Sequence, residues 1–161
     1  MRIVTVVVGR LKNGPERELA DRYTERARVT GRNLALTGFD VVELAESRAS
    51  SAGTRKLEEA RLIRAAVPAD AVLVALDERG KALTSLELAT RIGNWRDAAR
   101  PALAFVIGGA DGLDGSLREE AALSLSLSAM TWPHQIARIM LSEQLYRTTT
   151  ILSGHPYHRG N

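Results

Sequence analysis

The sequence predicts an α/β protein in which a mostly parallel sheet is flanked by helices. Short β-branched runs alternate along the chain with segments of helical periodicity, an order typical of parallel sheets. Hydrophobic residues make up 45% of the chain and charged residues 25%, the balance of a globular protein. The length of 161 residues suits one such sheet. We therefore expect a single domain over residues 1–161.

The first half of the chain predicts two strands, each followed by a helix. Residues 3–8 form a β-branched run that Gly9 closes, as in a strand buried on both faces. Asn13-Gly14-Pro15 then offers a cap and a proline at the first helical position. In order, we expect a strand at 3–8, a helix from Pro15, a strand at 39–44, an exposed loop at 47–53 and a helix from Thr54 that Pro68 ends.

The second half of the chain continues this alternation. Thr84 with Glu87, and Ser116 with Glu119, have the spacing of a helix capping box. In order, we expect a strand at 71–76 with Asp77-Glu78 at its carboxyl end, a helix from Thr84 to about Ala98, a strand at 102–107, a short helix from Ser116, a strand at 123–128 and a helix from Pro133 to about Thr148.

Composition excludes several classes of protein. The chain contains no cysteine, which rules out disulfides, a thiolate nucleophile and a thiolate zinc site. No apolar run reaches the roughly 18 residues that a bilayer span requires. Met1-Arg2 leads straight into the first strand without a signal-peptide pattern. We expect a cytoplasmic protein with no membrane partner.

The basic residues are almost all arginine. Only Lys12, Lys56 and Lys81 are lysines among 22 basic residues, and the net charge is +3. Arginine pairs bidentately with phosphate and stacks on bases, which suits an RNA-contacting surface. Compositional bias of a GC-rich genome explains the same preference. At this net charge, tight RNA binding requires clustered charges or a dimer.

A glycine-rich turn follows the fourth strand, where α/β sheets bind ligands. Gly108, Gly109 and Gly112 let the backbone bend sharply and approach a ligand closely. Their spacing fits neither the dinucleotide fingerprint nor a P-loop. A cofactor-binding turn and a tight turn without a ligand both remain open.

The next segment, residues 125–134, is rich in small residues. Its backbone groups could hydrogen-bond an adenine edge while Leu127 and Met130 cover the ring; the alternative is a buried strand and turn. Trp132 precedes Pro133 and is restricted to an extended conformation, which orders the entry into the last helix.

The C-terminus holds all three histidines, His134, His155 and His158. Three interpretations are open for this region: a base-binding cluster, a solvated tail, or a metal site formed by the histidines. Glu143 and Arg147, four residues apart in the last helix, also fit an ordinary helix pair.

Four segments, 105–113, 125–134, 143–147 and 155–159, agree in order and spacing with one known family. Read together, they resemble the ribosomal large-subunit methyltransferase H family, the minimal branch of the SPOUT superfamily. The resemblance covers the whole chain. It implies a homodimer whose C-terminal third forms a trefoil knot, an exception to the rule against threaded chains. It also implies that the knot binds S-adenosyl-L-methionine and that no metal takes part.

The resemblance further implies a substrate and a set of site residues. Family members methylate N3 of pseudouridine 1915 in helix 69 of 23S rRNA, on the assembled 70S ribosome. The implied cofactor-binding residues are Leu76, Gly108, Leu127, Ser128, Ala129, Met130, Thr131 and Trp132. The implied catalytic residues are His134, Glu143, Arg147, Tyr157, His158 and Arg159.

Methyl transfer to a ring nitrogen needs alignment and a deprotonated nucleophile. The sulfonium makes the methyl group a good electrophile, so no metal is needed. Alignment of the nucleophile with the methyl group contributes several kcal/mol by itself. We hypothesise that Arg159 and His158, with Arg147, orient the base and stabilise its charge, while Tyr157 borders the base. Two other classes stay open: a non-catalytic nucleotide- or RNA-binding α/β module, and a metal-dependent hydrolase.

Overall fold

The computed structural model describes residues 1–155 and 157 of the chain. Within these residues, five strands alternate with five α-helices, and a short 3-10 helix at Arg32–Leu34 follows the first α-helix. The elements are β1 Arg2–Val8, α1 Pro15–Gly31, β2 Thr37–Leu44, α2 Ala52–Ala66, β3 Val72–Ala82, α3 Ser85–Asp97, β4 Ala102–Ile107, α4 Gly115–Glu120, β5 Leu123–Ser126 and α5 His134–Leu152.

The strands form one sheet in the order β2-β1-β4-β3-β5. Each neighbouring pair in that sheet runs parallel, which confirms the predicted α/β class. Parallel strands bring their carboxyl ends to one edge, so the segments after β1, β2, β4 and β5 meet there. The trefoil knot and the single-domain division stay predictions.

Helices cover both faces of the sheet. Successive residues of a strand point to opposite sides, so each central strand contributes to two cores. Phe105 of β4 is fully buried on the face that α1, α3 and α5 cover, in one core cluster with Leu141 of α5. Val106, the next residue, is fully buried on the opposite face in a cluster with Ile63 of α2 and Leu117 of α4. This double burial explains the continuous β-branched runs of the central strands.

Strand β3 is longer than the sequence predicts. It continues past Leu76 to Ala82, and its pairing with β5 shifts register between Leu76 and Lys81. Gly80 permits the continuation, because a Cβ there would lie 2.7 Å from the carbonyl carbon of Ser124. Asp77 and Glu78 therefore lie at an irregularity within the strand and not in a loop after it.

Helix boundaries differ from the predictions where side-chain caps decide them. The Ser51 hydroxyl accepts from the Thr54 amide, so that α2 begins at Ala52. Asp114 caps α4 by accepting from the Ser116 amide at 2.9 Å, which places Ser116 inside the helix. The predicted capping box of Thr84 and Glu87 is present in α3.

The last two elements also differ in length from the predictions. Strand β5 ends at Ser126, two residues early. Helix α5 runs to Leu152, because Thr149 and Thr150 are buried and their hydroxyls donate to the carbonyls of Tyr146 and Arg147. No helix in the described part of the chain combines the length and hydropathy needed to cross a membrane.

Candidate functional site

A cavity of about 340 Å³ opens at the carboxyl edge of the sheet, within the usual size of small-molecule sites. Its walls come from the middle of β3, the turn after β4, the segment after β5 and the first turn of α5. Seven of the eight predicted cofactor-binding residues line it: Leu76, Gly108, Leu127, Ser128, Met130, Thr131 and Trp132. Ala129 is exposed and is not among the lining residues.

The glycine-rich turn after β4 folds tightly on itself. The Gly112 amide donates to the Gly109 carbonyl at 3.0 Å, and Gly112 has a φ of +80°. A Cβ on Gly108 would lie 2.7 Å from the backbone carbon of Gly112. Gly108 is therefore required by the turn itself, in addition to placing its backbone on the cavity wall.

An ion pair attaches this turn to α2. Arg55 donates to the two carboxylate oxygens of Asp111 at 2.6 and 3.1 Å. These hydrogen bonds hold the pKa of Asp111 below its ordinary value. Arg55 also donates to the Ala49 carbonyl at 2.9 Å and so holds the loop before α2 against the same turn.

The segment after β5 is ordered by its own serines. Ser126 donates to the Ser128 carbonyl at 2.8 Å, and the Met130 amide donates to the Ser128 hydroxyl at 3.0 Å. The Thr131 hydroxyl donates to Glu78 at 3.3 Å and so links this wall to β3. Within residues 1–155 and 157, the amides of Thr131 and Trp132 donate to no acceptor, which leaves donors free at the cavity.

These walls fit a nucleoside-containing cofactor. Leu76, Ile107 and Leu127 provide apolar surface for ring faces, and the free amides of Thr131 and Trp132 provide donors for a ring edge. Apolar walls with a few placed polar groups are typical of such sites. In the part of the chain that the structure describes, no group of three or more His, Asp or Glu residues could hold a metal ion.

His134, the first residue of α5, lies at the rim of the cavity and packs on the end of β1. Gly9 has a φ of +94°, and a Cβ there would lie 2.5 Å from His134 Cε1. The absence of a side chain at Gly9 thus makes room for the imidazole. His134 Nδ1 is buried, and it has no hydrogen-bond partner among the described residues.

A partly buried carboxylate that was not predicted from sequence lies beside this rim. Glu43, near the end of β2, accepts from Arg138 of α5, from Arg17 of α1 at 2.9 Å and from the Leu11 amide at 3.1 Å. Burial raises the pKa of Glu43, but the Arg138 hydrogen bond, the Leu11 amide and the two guanidinium charges together hold it below its ordinary value. Arg138 itself is only 3% exposed.

A second polar cluster occupies the opposite face of α5. Glu143 Oε1 accepts from Arg147 at 2.6 and 3.0 Å and from the Tyr157 hydroxyl at 3.2 Å. The Arg147 guanidinium stacks over the Tyr157 ring at 5.0 Å, and Tyr146 packs on the same ring at 4.7 Å. Burial and the Glu143 charge raise the pKa of Tyr157 to about 12.

The predicted catalytic residues therefore fall into two groups. His134 and Glu143 are nine positions apart in α5, which separates them by about 13 Å along the axis and places them on opposite faces. One copy of the chain does not bring them together. His158 and Arg159 lie outside the described residues. His155 is exposed and accepts from the Tyr157 amide at 3.2 Å.

Comparisons with known proteins show which family the chain resembles. A family model described as "Predicted SPOUT methyltransferase" matches residues 1–158. A protein of Bradyrhizobium sp. strain BTAi1 is 59% identical over 159 residues, which cover 99% of both chains. A protein of Nitrobacter winogradskyi is 56% identical over 160 residues, which cover 99% of this chain and 100% of the relative. Both relatives are named "Ribosomal RNA large subunit methyltransferase H".

The family model spans nearly the whole chain, and the relatives match it end to end. These matches confirm the family, the enzyme class and the cofactor that the sequence motifs predict. The chain belongs to the SPOUT methyltransferase family and is an S-adenosylmethionine-dependent methyltransferase.

Proposed function

We propose that this enzyme methylates large-subunit ribosomal RNA, at N3 of pseudouridine 1915 in helix 69 of 23S rRNA on the assembled 70S ribosome. The end-to-end similarity to relatives named ribosomal RNA large subunit methyltransferase H carries the proposal. The cavity at the carboxyl edge supports it, because its lining includes the motif residues from which the resemblance was inferred.

The chain's own residues have two tasks in this reaction. The bound cofactor supplies an electrophilic methyl group, so the protein must align a nucleophile with that group and favour the deprotonated imide nitrogen. A cation close to N3 lowers its pKa by stabilising the anion. Arg147 fits this task, because Glu143 holds its Nε and Nη2 while Nη1 donates to no acceptor in the described residues.

Tyr157 and the tail complete the base-binding part of the proposal. With a pKa of about 12, Tyr157 stays protonated and acts as a hydrogen-bond donor and an aromatic wall. His158 and Arg159, next to it in sequence, are proposed to orient the base and accept its proton. His134 is proposed to act from the cofactor side of the same reaction, through its free Nδ1.

We propose that the working unit is a homodimer, in which the Glu143, Arg147 and Tyr157 cluster of one protomer completes the cavity of the other. The separation of about 13 Å between His134 and Glu143 supports this. A second cavity of about 510 Å³ lies between α1, the start of α3 and α5. Its partly apolar lining includes Leu19, Ile139 and Met140, and we propose that the partner covers this face. The C-terminal knot and the cytoplasmic location remain part of the proposal.

Mapping of methyl transfer tests the function directly. Radiolabelled cofactor is incubated with the enzyme and either 70S ribosomes or free 23S rRNA, and the modified nucleotide is located by primer extension and mass spectrometry. We expect one methyl group on the helix 69 pseudouridine of 70S ribosomes and little transfer to free rRNA. Added chelator should leave the transfer unchanged.

Two other results would overturn the proposal. Calorimetric binding of the cofactor with no transfer to either RNA would indicate a non-catalytic nucleotide- or RNA-binding module. Transfer to a different ribosomal position would keep the enzyme class and reject the proposed target.

A further inference from the structure

Trp132 differs from the other aromatic residues of the chain in its exposure. The chain has two tryptophans, two phenylalanines and three tyrosines, and the structure describes all of them. Only Trp132 is exposed, at 39%, whereas Trp95 packs against the same core cluster as Phe105. Trp132 belongs to neither core cluster. Its indole therefore adds little to the packing of a single copy of the chain.

Trp132 lies at the mouth of the cavity at the carboxyl edge of the sheet, together with a second exposed apolar residue. Trp132 and Met130 both line this cavity, and Met130 is 68% exposed. Pro133 restricts Trp132 to an extended conformation, which limits the positions that the indole can take. Large apolar side chains that remain exposed beside a ligand cavity are typical of interaction sites.

The backbone and the side chain of Trp132 have separate roles at this cavity. The free amide of Trp132 is a donor for a ring edge, and a donor to a ring edge lies close to the plane of that ring. Apolar surface for the ring faces comes from Leu76, Ile107 and Leu127. Small-molecule sites bury most of their ligand. The cofactor therefore does not need the exposed indole as a wall.

The charges around the same cavity favour a polyanion. Among the described residues that line it, two of the three carboxylates are paired with arginines, Asp77 at 3.2 Å and Asp111 at 2.6 Å. The third, Glu78, accepts from a threonine hydroxyl. Lys56 and Arg79 also line the cavity, and neither has an ion-pair partner within residues 1–155 and 157. Two unpaired cations beside one unpaired carboxylate leave net positive charge, which attracts phosphates.

An exposed aromatic ring beside unpaired cations is typical of surfaces that bind unpaired nucleotides. Successive bases stack on aromatic side chains, and basic residues contact the phosphates between them. Recognition of RNA mostly targets loops, whose bases are free to stack on a protein. The base that accepts the methyl group has to reach this cavity, so the nucleotides next to it pass its mouth.

We propose that the indole of Trp132 stacks on an unpaired nucleobase of the RNA substrate at the mouth of the cavity, while Lys56 and Arg79 contact the adjoining phosphates. Trp132 is then a positioning residue for the RNA through its side chain, in addition to any contact of its backbone with the cofactor. This inference rests on the proposed function, because it takes RNA as the substrate.

Tryptophan fluorescence tests the stacking, because Trp132 and Trp95 are the only tryptophans of the chain. The full-length enzyme with saturating S-adenosylmethionine is titrated at low salt with a stem-loop RNA that corresponds to helix 69. A second stem-loop carries abasic nucleotides in its loop, so that it keeps the phosphates but has no loop bases to stack. We expect saturable quenching by the first RNA and little by the second. Trp132→Leu should lose the quenching, and Trp95→Phe should retain it.

Steady-state kinetics with 70S ribosomes provide a readout that a general loss of structure would not give. Trp132→Leu should raise KM for ribosomes about tenfold, the effect of losing a base stack of about 1.4 kcal/mol, with smaller changes in kcat and in KM for the cofactor. Trp132→Phe keeps an aromatic ring and should raise KM for ribosomes less. Trp95→Phe is the matched control and should keep the wild-type KM. Circular dichroism of each variant verifies the fold.

Three results would overturn the inference. Quenching of Trp132 by S-adenosylmethionine alone, with weaker cofactor binding by Trp132→Leu, would assign the indole to the cofactor. Dissociation of the dimer by Trp132→Leu in sedimentation experiments would assign it to the partner subunit. Equal quenching by the intact and the abasic loop, or a wild-type KM for ribosomes in Trp132→Leu, would exclude the stacking.

Failure of this inference is distinguishable from failure of the proposed function. If the wild type methylates helix 69 and Trp132→Leu has the same KM for ribosomes, the function stands and the stacking is wrong. If the wild type methylates no RNA, the proposed methylation is wrong, and the titration with the two stem-loops still decides whether Trp132 binds a base.

Discussion

At the scale of single residues, the site depends on groups whose surroundings fix their state. Tyr157 donates to Glu143 and packs on Tyr146, so that the phenol is partly withdrawn from water beside a negative charge. Because Gly9 has no side chain, the ring of His134 occupies the space that a Cβ at this position would need. Neither relation can be read from local sequence, because each joins residues that are close only after folding.

The pKa of Tyr157, about 12, predicts a late titration. In an ultraviolet absorbance titration, Tyr157→Phe should remove a tyrosine that deprotonates near pH 12. Because the folded pKa lies above the ordinary 10.0, the associated stability is complete below pH 10 and declines as the pH rises toward 12. If the tyrosine removed by the substitution titrates near pH 10, the burial of Tyr157 and its contact with Glu143 are absent in solution.

Gly9→Ala should displace His134. Its Cβ would lie 2.5 Å from the imidazole, and its φ of +94° is unfavourable for alanine, so we expect a loss of about 1–3 kcal/mol in the free energy of unfolding. Methyl transfer should fall together with this loss. Gly53→Ala is the control: no atom lies within 4 Å of its Cβ position, and it should be neutral or stabilise α2. Equal stability of the two variants would contradict this packing.

At the scale of elements, the sequence predicts which segments are strands and helices better than it predicts where they end. The parallel sheet and the edge that carries the cavity follow from the alternating pattern, because carboxyl ends of parallel strands meet. The extension of β3 to Ala82 does not follow from that pattern, since Lys81 and Ala82 pair with Leu125 and Ser126, which lie far along the chain.

Glu43 and Arg138 illustrate the same limit for the site. They are 95 positions apart, and no local pattern marks them as partners. The only feature of the sequence that points to this network is the charged residue Arg138, which lies one turn after His134 on the inward face of α5. The network nevertheless joins α1, β2 and α5, and so it holds the helix that begins at His134 against the sheet.

Glu43→Gln should destabilise the protein, because it leaves Arg17 and Arg138 without their shared carboxylate. We expect a loss of about 3 kcal/mol in urea unfolding at neutral pH. Since the folded pKa of Glu43 is lowered from 4.5, this stabilisation is present above pH 4.5 and is lost as the pH falls below it, where wild type and variant should converge.

Glu120→Gln provides the matched comparison, since Glu120 pairs with Arg64 at the surface with its side chain 50% exposed. That substitution should cost at most about 1 kcal/mol. If Glu43→Gln costs no more stability than Glu120→Gln, the partly buried network of Glu43, Arg17 and Arg138 does not hold α5 against the sheet.

At the scale of the whole molecule, a short chain has the cavity proposed to bind the methyl donor on one face of α5 and the cluster proposed to bind the base, Glu143, Arg147 and Tyr157, on the other. The proposed homodimer resolves this separation, because two copies can bring the opposite faces together. The family motifs predict both groups of residues, and the nine positions between His134 and Glu143 in α5 place the two groups on opposite faces of the helix.

Subunit mixing tests this central claim most directly. His134→Phe and Arg147→Gln are each expected to be nearly inactive alone. When the two are unfolded together and refolded as a mixture, half of the dimers should be mixed, and each mixed dimer should contain one intact composite site, which restores about a quarter of the wild-type methyl transfer. Activity no higher than that of the separate variants, in a mixture shown by mass spectrometry to contain mixed dimers, would contradict a site shared between two copies.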